Sequence, residues 1–81
     1  MHRRDFPGHS AWIETRINGD HVLAFVAIQP RDSKAEPNLH QVYDRSFFRR
    51  RSDAIEAAKD ALSKLQQIDE RGRRWFNSAE C

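Results

Sequence analysis

The sequence predicts an α+β fold: a three-stranded antiparallel sheet followed by one long amphipathic helix packed on one face, in the order β-β-β-α. Three observations carry this reading. Two strand-like segments flank an Asn18-Gly19 turn signal, and a third follows a loop bounded by Pro30 and Pro37. Asp53–Asp69 then repeats apolar residues at spacings of three and four, the period of a helix with one buried face.

Each element has its own local reason. Residues 1–10 are polar and broken by Pro7-Gly8, so a flexible N-terminal arm is expected. Ala11–Ile17 alternates, with Ile13, Thr15 and Ile17 on one side and Trp12, Glu14 and Arg16 on the other. Asn-Gly supplies the two positive-φ residues of a type I′ turn, which would pair Ile17 with Asp20 and set Trp12 opposite Phe25. The second strand, Asp20–Gln29, stops at Pro30. Its stretch His21–Ile28 is apolar at odd and even positions alike. A strand points successive side chains to opposite faces, so this one needs cover on both. Leu39–Phe48 reads as the third strand, with Val42, Tyr43, Phe47 and Phe48 as its apolar members; adjacent Phe47 and Phe48 must face opposite ways. Ser52 stands at a natural N-cap position with Asp53 in the first turn. Ala54, Ile55, Ala58, Ala61, Leu62, Leu65 and Ile68 form the helical stripe, and Gly72 ends or kinks it. The expected core is Ile13, Ile17, Ala24, Val26, Ile55, Ala58, Leu62 and Leu65. The chain thus divides into an arm (1–10), one domain (11–70) and a basic, aromatic tail (71–81).

Eighty-one residues suffice for a single core. Charged residues at 32% make the chain polar, yet eight aromatics (two Trp, one Tyr, five Phe) are too many for a disordered one. The lone cysteine, Cys81, excludes an internal disulfide framework. No apolar run approaches a membrane span, and the first nine residues lack the apolar centre of a secretory signal. The expectation is a cytoplasmic protein.

No chemistry-bearing motif stands out. His2, His9, His21 and His40 show no metal-ligand spacing, Gly8, Gly19 and Gly72 are isolated, and no nucleophile elbow occurs. No cofactor, metal, catalytic residue or small-molecule substrate is therefore inferred, and the chain reads as non-enzymatic. Two sets of residues invite partners instead. Trp12, Leu23, Phe25, Tyr43, Trp75 and Phe76 are candidates for an apolar interface. One helix covers one face of the sheet, so the other needs a second subunit, a protein partner or the folded-back tail. The leading reading is a small interaction module that self-associates, as a homodimer, or docks a protein partner through this sheet face, the sequence leaving the two open. The alternative is a nucleic-acid-binding module using Arg45, Arg49, Arg50, Arg51, Arg71, Arg73 and Arg74. These crowd the two ends of the expected helix, whose own segment Asp53–Glu70 sets five acids against two lysines.

The run Arg49-Arg50-Arg51-Ser52-Asp53-Ala54, leading into Ala57-Ala58-Lys59-Asp60-Ala61-Leu62, resembles double-stranded-RNA-binding domains. Their core is a three-stranded antiparallel sheet followed by a helix, with basic residues opening that helix and alanines along its buried face. The resemblance covers about a third of the chain. The family's first helix has no counterpart in residues 1–10, and Asp53 and Glu56 stand where its basic pair would lie.

Overall fold

Four strands, rather than three, make the sheet in the computed structural model, which describes residues 3–32, 34–78 and 81. β1 (Arg3–Phe6), β2 (His9–Asn18), β3 (His21–Pro30) and β4 (Asn38–Val42) lie side by side in that order, each antiparallel to the next. The helix α1 (Arg51–Lys64) crosses one face, and β5 (Leu65–Ile68) with β6 (Arg74–Phe76) forms a separate two-stranded sheet. The extra strand comes from the segment expected to be a loose arm. Phe6 pairs with His9 across Pro7-Gly8, and Gly8 takes φ +79° after a proline, which is what a type II turn asks of its central residues. Pro7-Gly8 therefore closes a hairpin. Met1 and His2 lie outside the described residues.

The central hairpin forms with its turn moved by one residue. Asn18 pairs with His21 and Ile17 with Val22, so the two-residue loop is Gly19-Asp20. Gly19 alone has positive φ, at +67°, the arrangement of a type II′ turn with glycine first, not the expected I′. Trp12 consequently faces Ala27, not Phe25. The change moves every pair by two positions, so each side chain keeps its expected face. Two residues of the expected core fall outside it: Ile55, half-buried on the helix, and Ile17. Ile17 is 79% exposed, because ten-residue strands of ~33 Å outrun a fourteen-residue helix of ~21 Å.

The third strand is shorter than expected. β4 stops at Val42, and Tyr43 enters the left-handed region at φ +50°. Its carbonyl then accepts from the Ser46 N–H at 2.9 Å, closing a turn. Beyond it, Phe48 only touches the sheet, its carbonyl accepting from the Val22 N–H at 2.8 Å. Phe48 packs against the core and Phe47 is 53% exposed, as their adjacency requires.

The helix differs from expectation at both ends. Its N-cap is Arg50, with no side-chain cap, so Ser52 sits inside the first turn. It ends at Lys64, short of the expected Asp69. Three features meet there. The Leu65 N–H returns to the Leu62 carbonyl, the Asn77 N–H donates to the Lys64 carbonyl at 2.8 Å, and Arg4 Nη1 donates to the carbonyls of Leu62 (2.7 Å) and Leu65 (2.6 Å). A cation from β1 thus fills the role of a C-terminal cap, at the negative end of the helix dipole. Leu65 and Ile68 remain buried because β5 is irregular between Leu65 and Gln67. The bulge restores to one face two residues that a regular strand would point oppositely.

Ala24, Val26 and Ile28 of the sheet meet Ala54, Ala58, Ala61 and Leu62 of the helix, with Phe6, Leu65 and Ile68 closing one end of the core. Alanines along α1 let it lie close to the sheet. No helix among the described residues is long and apolar enough to cross a membrane.

Candidate functional site

The tail does not fold over the open side of the sheet. Phe76 packs on the helix side, where its ring stacks on His40 at 5.0 Å between centroids, and it pairs through β6 with Leu65. Cys81 lies there too, its carbonyl 2.7 Å from His40 Nε2. One face of the sheet is therefore covered by α1, β5 and β6, and the other by no element of the described residues.

That outer face is built by strand alternation. Registers place Trp12, Ala27 and Leu39 in one row across three strands, with Glu14, Phe25 and Gln41 in the next and Arg16 beside Leu23. Trp12, Leu23 and Phe25 are half-buried, while Leu39 is 39% exposed. Ala27 is fully buried at the bottom of its row. A small side chain between Trp12 and Leu39 leaves a hollow of about 350 Å³, walled on its far side by Glu36 and Pro37 of the connecting loop. Gln29 holds that loop by donating to the Ala35 carbonyl at 2.7 Å.

Charges frame the apolar strip. Glu14 accepts from Trp12 Nε1 at 2.9 Å and from Arg16 at 2.8 Å, and these bonds, Arg16's foremost, hold its carboxyl below the usual range against partial burial. At the β1 edge Asp5 accepts from Ser10 at 3.0 Å and pairs with Arg3 (3.3 Å) and Arg31 (3.8 Å), and its carboxyl is lowered as well. At the hairpin end His21 packs against Phe47, ring centroids 4.6 Å apart, and Arg49 lies 5.6 Å from that ring.

The remaining candidates disperse. Tyr43 turns toward the helix, donating to Asp60, while Lys64 Nζ bonds both groups, at 2.9 Å to Asp60 and 3.2 Å to the Tyr43 hydroxyl. The bond to Asp60 drives the Tyr43 phenol up to about 12, and Tyr43 and Lys64 together lower the Asp60 carboxyl. This cluster clamps β4 to α1. Arg45, Arg49, Arg50 and Arg51 are all exposed near the helix start, where Arg50 pairs with Asp53 at 3.8 Å. Arg71, Arg73 and Arg74 are carried by the β5–β6 loop and the start of β6, not by a helix end. Sequence reasoning missed Leu39 and Ala27, whose row becomes visible only once β4 is aligned on β3. It missed Arg4 altogether, since nothing local marks an arginine as the cap of a distant helix.

His9 is 5% exposed and its Nδ1 has no hydrogen-bond partner among the described residues, on a wide cleft of about 710 Å³ shared with the β5–β6 loop. No group of three or more His, Cys, Asp or Glu among the described residues is placed to hold a metal ion. His2 lies outside those residues. No protein-family model matches the chain, and neither a curated protein nor a solved structure matches it.

Proposed function

We propose that the protein is a non-enzymatic interaction module that pairs with a second copy of itself through the outer face of its sheet. One observation carries the reading: the row Trp12–Ala27–Leu39, with its hollow and the neighbouring Leu23 and Phe25, is left open, while α1, β5 and β6 pack on the opposite face and leave only its hairpin end, at Ile17, uncovered. Apolar strips with a polar rim mark interaction sites.

A second copy fits the charge pattern. Each end of the face carries acid and base together, Asp5 with Arg3 and Arg31 at one, Glu14 with Arg16 at the other. A two-fold axis through the strip brings acids of one copy toward bases of the other, the three arginines exceeding the two carboxylates by a single charge per copy. The face is small: two central strands of ~33 Å flanked by edge strands of four and five residues, at ~4.8 Å spacing, span roughly 460 Å² in plan, below the ~800 Å² per partner of a standard interface, so the pairing is a weak one. Sheets packed in this way lie ~10 Å apart, which aromatic side chains span.

Chemistry has less support. The lowered carboxylates Asp5, Glu14, Asp20 and Asp60 are each engaged by local hydrogen bonds, and none is raised toward the range of a general acid.

Sedimentation equilibrium over ~1–100 µM tests the proposal, since a modest interface of this size dissociates in that range. The wild type should move from monomer to dimer, whereas Leu39→Glu should stay monomeric with its melting temperature kept. A wild type that is monomeric throughout overturns the reading. So does a dimer undiminished in both Leu39→Glu and Phe25→Glu.

A further inference from the structure

The loop joining β5 to β6 assembles arginines and an aromatic ring that the sequence only places near one another. Asp69 shapes it. One carboxylate oxygen accepts from the backbone N–H of Arg71 (2.9 Å) and of Arg73 (2.8 Å). The Asp69 N–H donates to the Arg73 carbonyl at 2.9 Å, and the Gly72 N–H donates to the Asp69 carbonyl at 3.0 Å. Gly72 sits at φ +81°, which a residue with a side chain would take only with strain. The loop is thus fixed by its own backbone, and the side chains of Arg71 and Arg73 stand exposed on it. Neither forms an ion pair among the described residues. Trp75 follows on β6 between two half-buried residues, Arg74 and Phe76, and is itself 42% exposed. The Arg73 guanidinium lies 5.5 Å from its ring centroid.

The geometry points to a single-stranded nucleic-acid contact on this loop, with an unpaired base stacked on Trp75 and Arg71 and Arg73 on the phosphate backbone. A stacking ring beside unpaired guanidinium groups is the pairing that single strands use, and it tolerates any base because every base has a π-face. A duplex keeps its bases stacked on one another and offers no open face to the ring. The carboxylates nearby do not cancel the charge. Asp69, turned to the loop's own N–H groups, and Glu70 together stand against Arg71, Arg73 and Arg74, so the loop keeps a net charge of +1. The site lies on the β5–β6 hairpin and shares no residue with the outer face of the sheet, so it stands or falls independently of self-association.

Fluorescence anisotropy of a labelled ten-nucleotide oligo-dT or oligo-U, titrated with the full chain at ~50 mM salt, tests it. Binding is expected at tens of micromolar or tighter. Trp75→Ala should weaken it roughly five- to 100-fold. Arg71→Ala with Arg73→Ala should lower the slope of log affinity against log salt by ~0.7 for each phosphate no longer neutralised. Because Trp75→Ala also alters a strand, the loop arginine pair and a hairpin-neutral control, Arg49→Ala with Arg50→Ala and Arg51→Ala, keep the test decisive. No binding at ~100 µM overturns the proposal. So does binding that the helix-start triple variant abolishes and the loop variants leave unchanged, or a duplex bound more tightly than the single strand.

Discussion

Two residues show how much stability rests on interactions that span the chain. Arg4 donates to two carbonyls at the end of α1 and lies 4.8 Å from the Phe6 ring. Charge-assisted bonds at a helix C-terminus are strong for their kind, so Arg4→Met should cost roughly 1–2 kcal/mol and lower the melting temperature by about 5–15 °C. Circular dichroism melts measure this, and an unchanged melt means the cap contributes nothing. Tyr43 is the second residue. Its phenol is driven up to about 12 by the bond to Asp60, while the Asp60 carboxyl is lowered by Tyr43 and Lys64. The raised phenol contributes stability below pH 10 that is lost as pH climbs from 10 toward about 12. The lowered carboxylate contributes stability at neutral pH that is lost as pH falls through its folded value. Tyr43→Phe should therefore flatten, without abolishing, the loss of stability between pH 10 and 12, since the raised Lys64 ammonium still titrates there. A profile identical to wild type contradicts the clamp. Neither interaction is legible in the sequence, because the partners are distant in the chain and Arg4 lies in a segment with no apolar periodicity.

At the scale of elements, sequence pattern and structure agree where periodicity is long and disagree where a single residue changes the geometry. The helical stripe through Ala54, Ala58, Ala61 and Leu62 is buried as its spacing requires. Leu65 and Ile68 continue that spacing of three, so the strand they form is invisible in the pattern: a bulge reproduces on one face of a strand what a helix would give. The third strand ends earlier than its apolar residues suggest, because nothing in Tyr43 announces a left-handed backbone. The first strand hides behind Pro7-Gly8, a pair that marks a break and a tight turn equally well. Leu62→Asp, which puts an unpaired charge at a position 4% exposed among alanines and valines, should abolish the cooperative melt. A transition within a few degrees of wild type shows that α1 does not pack as described. Replacing Arg49, Arg50 and Arg51 together by Ala should change stability little, since exposed pairs such as Arg50–Asp53 are weak.

For the whole molecule, the two-sided apolar character of β3 is the informative signal, and it separates the faces correctly even though the turn is displaced. What the sequence withholds is where the tail goes. Phe76 stacks on His40 on the helix side of the sheet, so the aromatic tail leaves the second face open. The row Trp12–Ala27–Leu39 also needs the β4 register, which no local pattern encodes. The central claim is that this open face self-associates, and the signal that reports it most directly is the indole N–H of Trp12, hydrogen-bonded to Glu14 at 2.9 Å. In a ¹⁵N–¹H correlation series diluted from ~500 to ~5 µM, this resonance and the amides of Leu23, Phe25, Ala27 and Leu39 should shift together with one apparent dissociation constant. The resonances of Glu56, Lys59 and Ser63 on the solvent side of α1 should stay fixed. Spectra independent of concentration, or shifts confined to α1, contradict the claim.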